Sequence, residues 1–242
     1  MGIHVRQSER DRILRLRHLV LGLNTPDPGG LEIHALPVGA FQANCYVVRH
    51  PGEPGRALII DPGDEADRIS GVLDAWGAVP EAILLTHAHL DHITAVGELV
   101  SRYDCPVHLH PSDLDLYRAA PGQASMFGLR VHPQPLPDRE LAHGQQLRFG
   151  PIEFTVRHAP GHSPGGVVFV GHSVAFVGDC VFAGSIGRTD LPGGDTRTLL
   201  GSIRDQILTL PGDTILYSGH GPATTVAREA ASNPFLVGLV EE

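Results

Sequence analysis

A dense run of metal-binding side chains follows a short apolar segment in the first half of the chain. Residues 82–85 are all apolar, and residues 86–92 read T-H-A-H-L-D-H. A short apolar run bounded by turn signals indicates a buried strand, and the helical spacing of the apolar residues between 93 and 100 indicates a helix that begins near Asp91. The sequence therefore places three imidazoles and one carboxylate at a strand-to-helix turn.

The spacing within this motif predicts metal binding. Side chains two residues apart on an extended segment point to the same face, so His87 and His89 can bind one ion, while Asp91 and His92 turn towards a second. Neutral imidazole nitrogen and carboxylate oxygen suit zinc, iron or manganese. The alternative is a set of solvated polar side chains with Asp91 as a helix N-cap. Four such groups in one turn would then lack a compensating partner, which favours the metal site.

The overall composition argues against a membrane or a nucleic acid as partner. Of the 242 residues, 42% are hydrophobic and 19% are charged, and no apolar run approaches the ~18 residues that a membrane span requires. The net charge is −9, and the 18 basic residues, all arginine, are concentrated only between Arg6 and Arg17. An acidic balance repels phosphate backbones unless basic residues cluster on one face.

The cysteines and the first residues favour a reducing compartment. Cys45, Cys105 and Cys180 are widely separated and form no C-x-x-C pair, so neither a disulfide framework nor a thiolate zinc site is indicated. The longest apolar run near the start, residues 19–23, contains a glycine and is shorter than the ~7 to 15 residues of a signal-peptide core. We expect a cytoplasmic protein.

Residues 1–30 are predicted to be an extension, and residues 31–242 the catalytic domain. A capping-box pattern at 8–11 precedes a short amphipathic stripe, and the Pro/Gly-rich residues 24–30 end it. A basic surface helix for a partner or membrane is one interpretation. An extension that packs weakly against the domain is favoured, because one short stripe cannot stabilise a helix alone.

Alternating strand and helix signals continue through the domain. Strands are predicted at 32–36, 44–49, 57–60, 106–110, 152–156, 167–171, 174–178 and 214–217. One helix is predicted to begin at an Asp64 cap and end at Gly77, another to begin at an Asp195 cap, and a last one to span 225–232. The looser segment 111–137 is expected to cover the site. Within it, Met126-Phe127 is a possible lid, but a core or loop anchor is the favoured interpretation.

The metal-competent residues follow four predicted strands, and their order resembles a known superfamily. They are His87, His89, Asp91 and His92, then glycine-flanked His162, then Asp179 after a strand, then His220 in a G-H-G turn. This pattern resembles the metallo-β-lactamase superfamily. Residues 41–46, 60–63, 161–165 and 184–190 further resemble the glyoxalase II group of thioesterases, in a compact form without the C-terminal helical domain. The resemblance implies an αββα sandwich of two mixed β-sheets with outer helices.

The resemblance also implies a ligand set and a reaction. His87, His89 and His162 would bind one divalent ion, Asp91, His92 and His220 would bind the other, and Asp179 would bridge them. Zinc is the expected metal, with iron or manganese as alternatives. Two cations ~3.5 to 4 Å apart can bind one bridging hydroxide, lower its pKa towards ~7 and stabilise an oxyanion. Asp91 would also orient the hydroxide. The expected substrate is a small-molecule thioester, whose thiolate leaving group needs little protonation.

Two features leave the substrate open. The lysine and tyrosine with which longer glyoxalase II enzymes contact glutathione fall at Arg188 and Asp190, so Arg188 is the candidate for binding a substrate carboxylate. Its alternative role is a structural ion pair with Asp190. A persulfide dioxygenase with a single iron on His87, His162 and Asp179 is a second function that the resemblance allows, and a hydrolase of another ester or lactone class is a third.

Several other side chains near the motifs have simpler interpretations. His108 and His110 are predicted to be surface or loop-contact residues, because no third ligand accompanies them. His158 is predicted to hydrogen-bond a loop carbonyl, and Cys180 to pack in the core. Asp61 either orients a ligand histidine or closes its Pro-Gly turn.

Overall fold

The computed structural model describes residues 30–239. Residues 1–29 of the predicted extension lie outside this range. Between residues 30 and 239, no helix is long and apolar enough to cross a membrane.

The first half of the chain forms a six-stranded mixed sheet in the order β1-β2-β3-β4-β5-β6. β1, β2 and β3 are antiparallel neighbours, whereas β3 to β6 run parallel to one another. The strands are Glu32–Val38, Ala43–Arg49, Arg56–Ile60, Val79–Leu84, Val107–Leu109 and Arg139–Glu140. The motif residues 86–92 follow β4, which lies between two parallel neighbours.

The second half forms another six-stranded mixed sheet in the order β14-β13-β10-β9-β8-β7. Only β10 and β13 are parallel, and a separate hairpin, β11–β12, follows β10. The strands β7 to β14 are Gln146–Phe149, Ile152–His158, Val167–Gly171, Val174–Gly178, Val181–Phe182, Ser185–Ile186, Ile215–Ser218 and Thr224–Thr225. Strand β7, which the sequence analysis missed, pairs with β8.

The two sheets pack face to face through alternate side chains of their strands. Leu58 and Ile60 of β3 belong to the core between the sheets, together with Phe154 and Phe176 of the second sheet. Ile59, between the two β3 residues, belongs instead to the core beneath the helices. Because successive strand residues face opposite sides, β3 contributes to two cores.

Helices cover both outer faces, so the predicted αββα architecture is confirmed. Helices α1 (Ala66–Trp76) and α2 (Val96–Tyr103) pack on the first sheet. Helices α5 (Thr196–Ser202) and α6 (Val226–Ser232) pack on the second. Two further helices, α3 (Leu114–Arg118) and α4 (Ala120–Met126), lie in the segment that was predicted to be irregular.

The predicted starts of the first two helices are wrong. The residue before α1 is Glu65, with φ of 53° and no side-chain cap, while Asp64 accepts a hydrogen bond from the Glu65 amide. After the metal motif, Leu90–His92 forms only a 3-10 turn, and α2 does not begin until Val96. A contact with a distant segment holds the residues between this turn and α2: the Thr94 hydroxyl donates a hydrogen bond to the carbonyl of Gly63.

The other predicted caps are confirmed, and the core interpretation of Met126 and Phe127 is wrong. Gly77 ends α1 with φ of 61°, and the Asp195 carboxylate accepts a hydrogen bond from the Thr198 amide at the start of α5. Met126 and Phe127 are 84% and 54% exposed, so neither anchors a core.

Candidate metal centre

The seven predicted metal ligands come together at one edge of the sandwich, where four strands end. They follow β4, β8, β10 and β13, in the order His87, His89, Asp91 and His92, then His162, Asp179 and His220. Four of these residues follow a strand of the first sheet and three follow strands of the second, so the site lies between the two sheets.

The first group consists of His87, His89 and His162, whose candidate ligand atoms lie within 4.8 Å of one another. The Nδ1 atom of His162 lies 2.7 Å from the carbonyl oxygen of Arg188, to which it donates. A neutral His162 ring therefore carries its free lone pair on Nε2, which lies 2.8 Å from Nδ1 of His89. These nitrogens are placed to bind a common ion.

The second group consists of Asp91, His92 and His220, whose candidate ligand atoms also lie within 4.8 Å of one another. Oδ2 of Asp91 is 3.2 Å from Nε2 of His220 and 3.8 Å from Nε2 of His92. This group combines two imidazoles with one carboxylate, a donor set that suits a divalent ion.

Asp179 lies between the two groups. Its Oδ2 atom is 3.4 Å from Nε2 of His162 in the first group and 3.6 Å from Nε2 of His220 in the second. Its Oδ1 atom is 3.5 Å from Nε2 of His92. A Cβ atom on Gly219 would overlap Oδ1 of Asp179, so glycine leaves the space that this carboxylate occupies.

Unpaired buried atoms show that these residues fit bound cations. Nε2 of His87, Nε2 of His92 and Oδ1 of Asp179 are buried and have no hydrogen-bond partner. An unsatisfied buried polar atom costs about 1 to 3 kcal/mol, so three of them in one place require a compensating partner. All three are electron-pair donors when the imidazoles are neutral, and a divalent cation satisfies them together.

The electrostatics of the site also favour cations. Burial and the neighbouring imidazoles hold the pKa of His87 well below its usual range and lower the pKa of His89 to about 3, which keeps both rings neutral. Burial alone would lower the pKa of His92, but the carboxylates of Asp91 and Asp179 outweigh it and raise that pKa to about 10. The carboxylates thus attract positive charge to the site, and a metal ion would displace the proton.

The comparisons with known proteins agree with this geometry. The family model described as the metallo-beta-lactamase superfamily matches residues 38–220. The chain belongs to this superfamily. It is 40% identical over 210 residues to "Hydroxyacylglutathione hydrolase GloC" of Haemophilus influenzae, covering 85% of this chain and 98% of that protein.

Two solved structures of the superfamily are similar over nearly their whole length. The crystal structure of the BLEG-1 B3 metallo-beta-lactamase has a TM-score of 0.80 and 41% identity, and the match covers 85% of this chain and 100% of that one. The crystal structure of TTHA1623 in a di-iron-bound form has a TM-score of 0.77 and 45% identity, and the match covers 84% of this chain and 99% of that one. The present chain is a superfamily member with a di-metal site.

A buried carboxylate, Asp61, orients the second group of ligands in this superfamily member. Its Oδ2 atom accepts a hydrogen bond from Nδ1 of His92 at 3.1 Å, which directs Nε2 of that ring into the site. The same carboxylate accepts bonds from the amide and the hydroxyl of Thr86, next to His87. Of the two interpretations of Asp61, the contact with His92 supports the one in which the carboxylate orients that ring.

A second buried carboxylate, Asp113, holds the loops of the first group and was missed by the sequence analysis. It accepts hydrogen bonds from the amide of Ala88 at 3.0 Å, the hydroxyl of Ser163 at 2.8 Å and the amide of Gly165 at 2.5 Å. Ala88 lies between two ligand histidines, and Ser163 follows His162. Asp113 therefore connects the two loops that carry the first group, although it is far from both in sequence.

Replacing Asp113 by asparagine should weaken metal binding about 10- to 100-fold, the usual effect of removing a partner that orients metal ligands. Both carboxylate oxygens of Asp113 accept hydrogen bonds. Asparagine keeps one of these oxygens and replaces the other with an NH₂ group, which would face a hydrogen-bond donor instead of accepting from it. Competition with a chromophoric chelator measures the dissociation constant. Asp138→Asn is the matched control, since Asp138 also accepts a backbone amide, that of Val107, but contacts no ligand loop. Equal affinities in both variants would contradict this role.

Arg188 contributes its backbone to the site, whereas its side chain is engaged elsewhere. The carbonyl oxygen accepts the hydrogen bond from His162. The guanidinium is 60% exposed and forms a bidentate pair with Asp190, with both N···O distances 2.7 Å. Substrate binding by Arg188 stays a prediction, and the alternative ion pair with Asp190 is present in the structure.

Cys180 and the histidines at 108, 110 and 158 lie outside the ligand set. His158 Nε2 lies 2.9 Å from the carbonyl of Pro164, as predicted, and Cys180 is buried in the core beneath α5, also as predicted. His110 stacks on His158 with centroids 4.1 Å apart. The surface prediction for His108 is wrong: it is buried on β5 beside Phe149, and burial lowers its pKa to about 4.

Proposed function

We propose that the protein is a metal-dependent thioester hydrolase of the glyoxalase II type, which cleaves an S-2-hydroxyacyl thiol to a hydroxy acid and a thiol. The observation that carries the proposal is the completeness of the second ligand group beside the first, with Asp179 in contact with both. A hydrolase that uses two ions needs both groups, whereas an oxygenase with one iron gains nothing from Asp91, His92 and His220 as ligands.

The comparisons support this proposal. GloC carries the name of a hydroxyacylglutathione hydrolase, and the match covers 98% of its length. We propose zinc as the metal, because imidazole and carboxylate ligands suit it. Iron is the alternative, supported by the di-iron form of TTHA1623.

The ligand residues account for the main requirements of such a reaction. Two divalent ions bound here would lower the pKa of a shared water towards ~7 and stabilise the oxyanion of the attacked carbonyl. The Asp91 side chain is 19% exposed, more than the 11% of Asp179, so Asp91 is the ligand carboxylate that can also contact and orient the attacking water. A thiolate leaves without a general acid.

A paired assay tests the proposed function. Purified protein is offered S-lactoylglutathione, while oxygen uptake with glutathione persulfide is followed in parallel, and a β-lactam is added as a third substrate because BLEG-1 is a B3 metallo-beta-lactamase. We expect thioester cleavage without oxygen uptake. Oxygen uptake without thioester cleavage, in protein that contains about one iron, would replace the proposal with the persulfide dioxygenase function.

Replacing Arg188 by alanine should raise KM about three- to tenfold for a thioester that carries a carboxylate, because an exposed charge-assisted contact contributes roughly 1 kcal/mol. The metal content should not change. Asp190→Ala is the matched partner variant: it removes the ion pair but leaves the guanidinium, so its KM should stay the same or fall. Loss of metal in Arg188→Ala would show that the side chain is structural instead.

A further inference from the structure

A cleft of about 680 Å³ adjoins the metal centre at Asp91. We call it the side cleft. It lies between the β1–β2 turn, helix α2 and the segment 129–135, and Asp91 is the one metal ligand in its wall. Sites of roughly 300 to 1,000 Å³ enclose drug-sized ligands. A short hydroxyacyl group such as lactoyl would therefore fill little of the side cleft.

The wall of the side cleft combines apolar and polar side chains and lacks a cluster of positive charge. Besides Asp91, its carboxylates are Asp64 and Glu98, and its basic side chains are Arg130 and His132. Glu98 is already paired with Arg102 at 2.7 Å. The apolar side chains of the wall include Val38, Phe41, Leu90, Val100, Leu129 and Val131. This lining suits an uncharged apolar group better than a phosphate or carboxylate.

Specific contacts hold the outer wall in place. Oε1 of Gln134 accepts a hydrogen bond from the amide of Gly97 in α2 at 2.6 Å, and the Tyr117 hydroxyl donates to the carbonyl of Pro135 at 2.8 Å. Phe127 packs edge-on against Phe41, with centroids 5.3 Å apart, although both rings are partly exposed. A wall that is formed in advance reduces the entropy lost when a ligand binds.

The side cleft and Arg188 adjoin different ligand groups of the metal centre. Asp91, at the side cleft, belongs to the second group, whereas the Arg188 carbonyl contacts His162 of the first. The carbonyl carbon of a thioester carries two substituents, the acyl chain and the sulfur, which extend from it in different directions. A carrier thiol that contains a carboxylate would lie near Arg188, so the acyl chain would extend into the side cleft.

We propose that the side cleft binds the acyl chain of the substrate, and that this chain is apolar and longer than lactoyl. The proposal rests on the thioester hydrolase function above, which it narrows to acyl thioesters with medium-length chains. Burial of each methylene contributes at most about a fourfold rise in kcat/KM, from ~0.8 kcal/mol per buried CH₂.

The test compares acetyl, butanoyl, hexanoyl and octanoyl thioesters of glutathione in the metal-loaded protein. We expect kcat/KM to rise with chain length. Val131→Glu should lower the octanoyl-to-acetyl ratio of kcat/KM by about tenfold, because the glutamate places a charge beside the apolar side chains of the wall. Leu129→Gln is a second wall variant, in case Val131→Glu does not fold. Leu136→Glu is the control, since Leu136 is 61% exposed and is not among the lining residues.

Binding of octan-1-ol, an uncharged molecule with an apolar chain, separates this proposal from the proposed function and is measured by calorimetry. Octanol binding that the wall variants weaken and Leu136→Glu does not would support the side cleft, even if no thioester were cleaved, and only the hydrolase proposal would then fail. Thioester cleavage with a flat chain-length profile, and octanol binding that is equal in all variants, would overturn the side cleft alone.

Discussion

Replacing Asp179 by asparagine should lower kcat for thioester hydrolysis by about 10³-fold or more. Two ions supply several kcal/mol of transition-state stabilisation, and each ~1.4 kcal/mol corresponds to a factor of ten in rate. Asp179 is the residue whose carboxylate approaches both ligand groups, through His162 on one side and His220 on the other. Asparagine is nearly the same size but carries no negative charge, so both ions should bind more weakly.

The measurement combines steady-state kinetics with elemental analysis of the same preparation. Asp205→Asn is the matched control, because Asp205 is an exposed aspartate that pairs with Arg204 outside the site. The control should retain the metal content and the rate of the unmodified protein. If Asp179→Asn kept both its metals and its kcat, the bridging role of Asp179 would be refuted.

Replacing His220 by alanine should empty the second site and lower hydrolysis about 100-fold or more, while the first site keeps about one equivalent of metal. The reason is structural: His220 contributes one of two imidazoles in the second group and no ligand atom to the first. His110→Ala is the control, since His110 stacks on His158 outside the ligand set. The variant also separates the two candidate reactions, because an oxygenase with one iron on His87, His162 and Asp179 would keep its activity.

The convergence of the seven candidate ligands could be predicted because their signals are local, whereas the residues that hold them could not. The H-x-H-x-D-H motif places four candidate ligands within six positions, and short glycine-rich motifs mark the others. Asp113 has no such signal. Its three partners are 25 to 52 residues away along the chain, and only the folded sandwich brings them together. Asp61 was recognised as a candidate because it follows a strand that ends at the same edge.

The errors in the fold have similar causes. Apolar spacing predicted a helix from Asp91, but residues 90–92 form only a short 3-10 turn. Hydrogen bonds to a distant segment, from His92 to Asp61 and from Thr94 to the carbonyl of Gly63, hold this region. His108 was predicted to be a surface or loop-contact residue because no third metal ligand accompanies it and His110. Its strand, β5, lies between β4 and β6, and this position buries the ring. In both cases contacts between distant segments outweigh the local preference of the sequence.

The most direct test of a two-metal hydrolase is to add metal back to metal-free protein while following thioester cleavage. Zinc or iron is added in known amounts after chelation and dialysis, and the initial rate is plotted against equivalents of metal per chain. The two ligand groups predict that activity rises until about two equivalents are bound. Full activity at about one equivalent, or in protein without metal, would contradict the two-metal hydrolase.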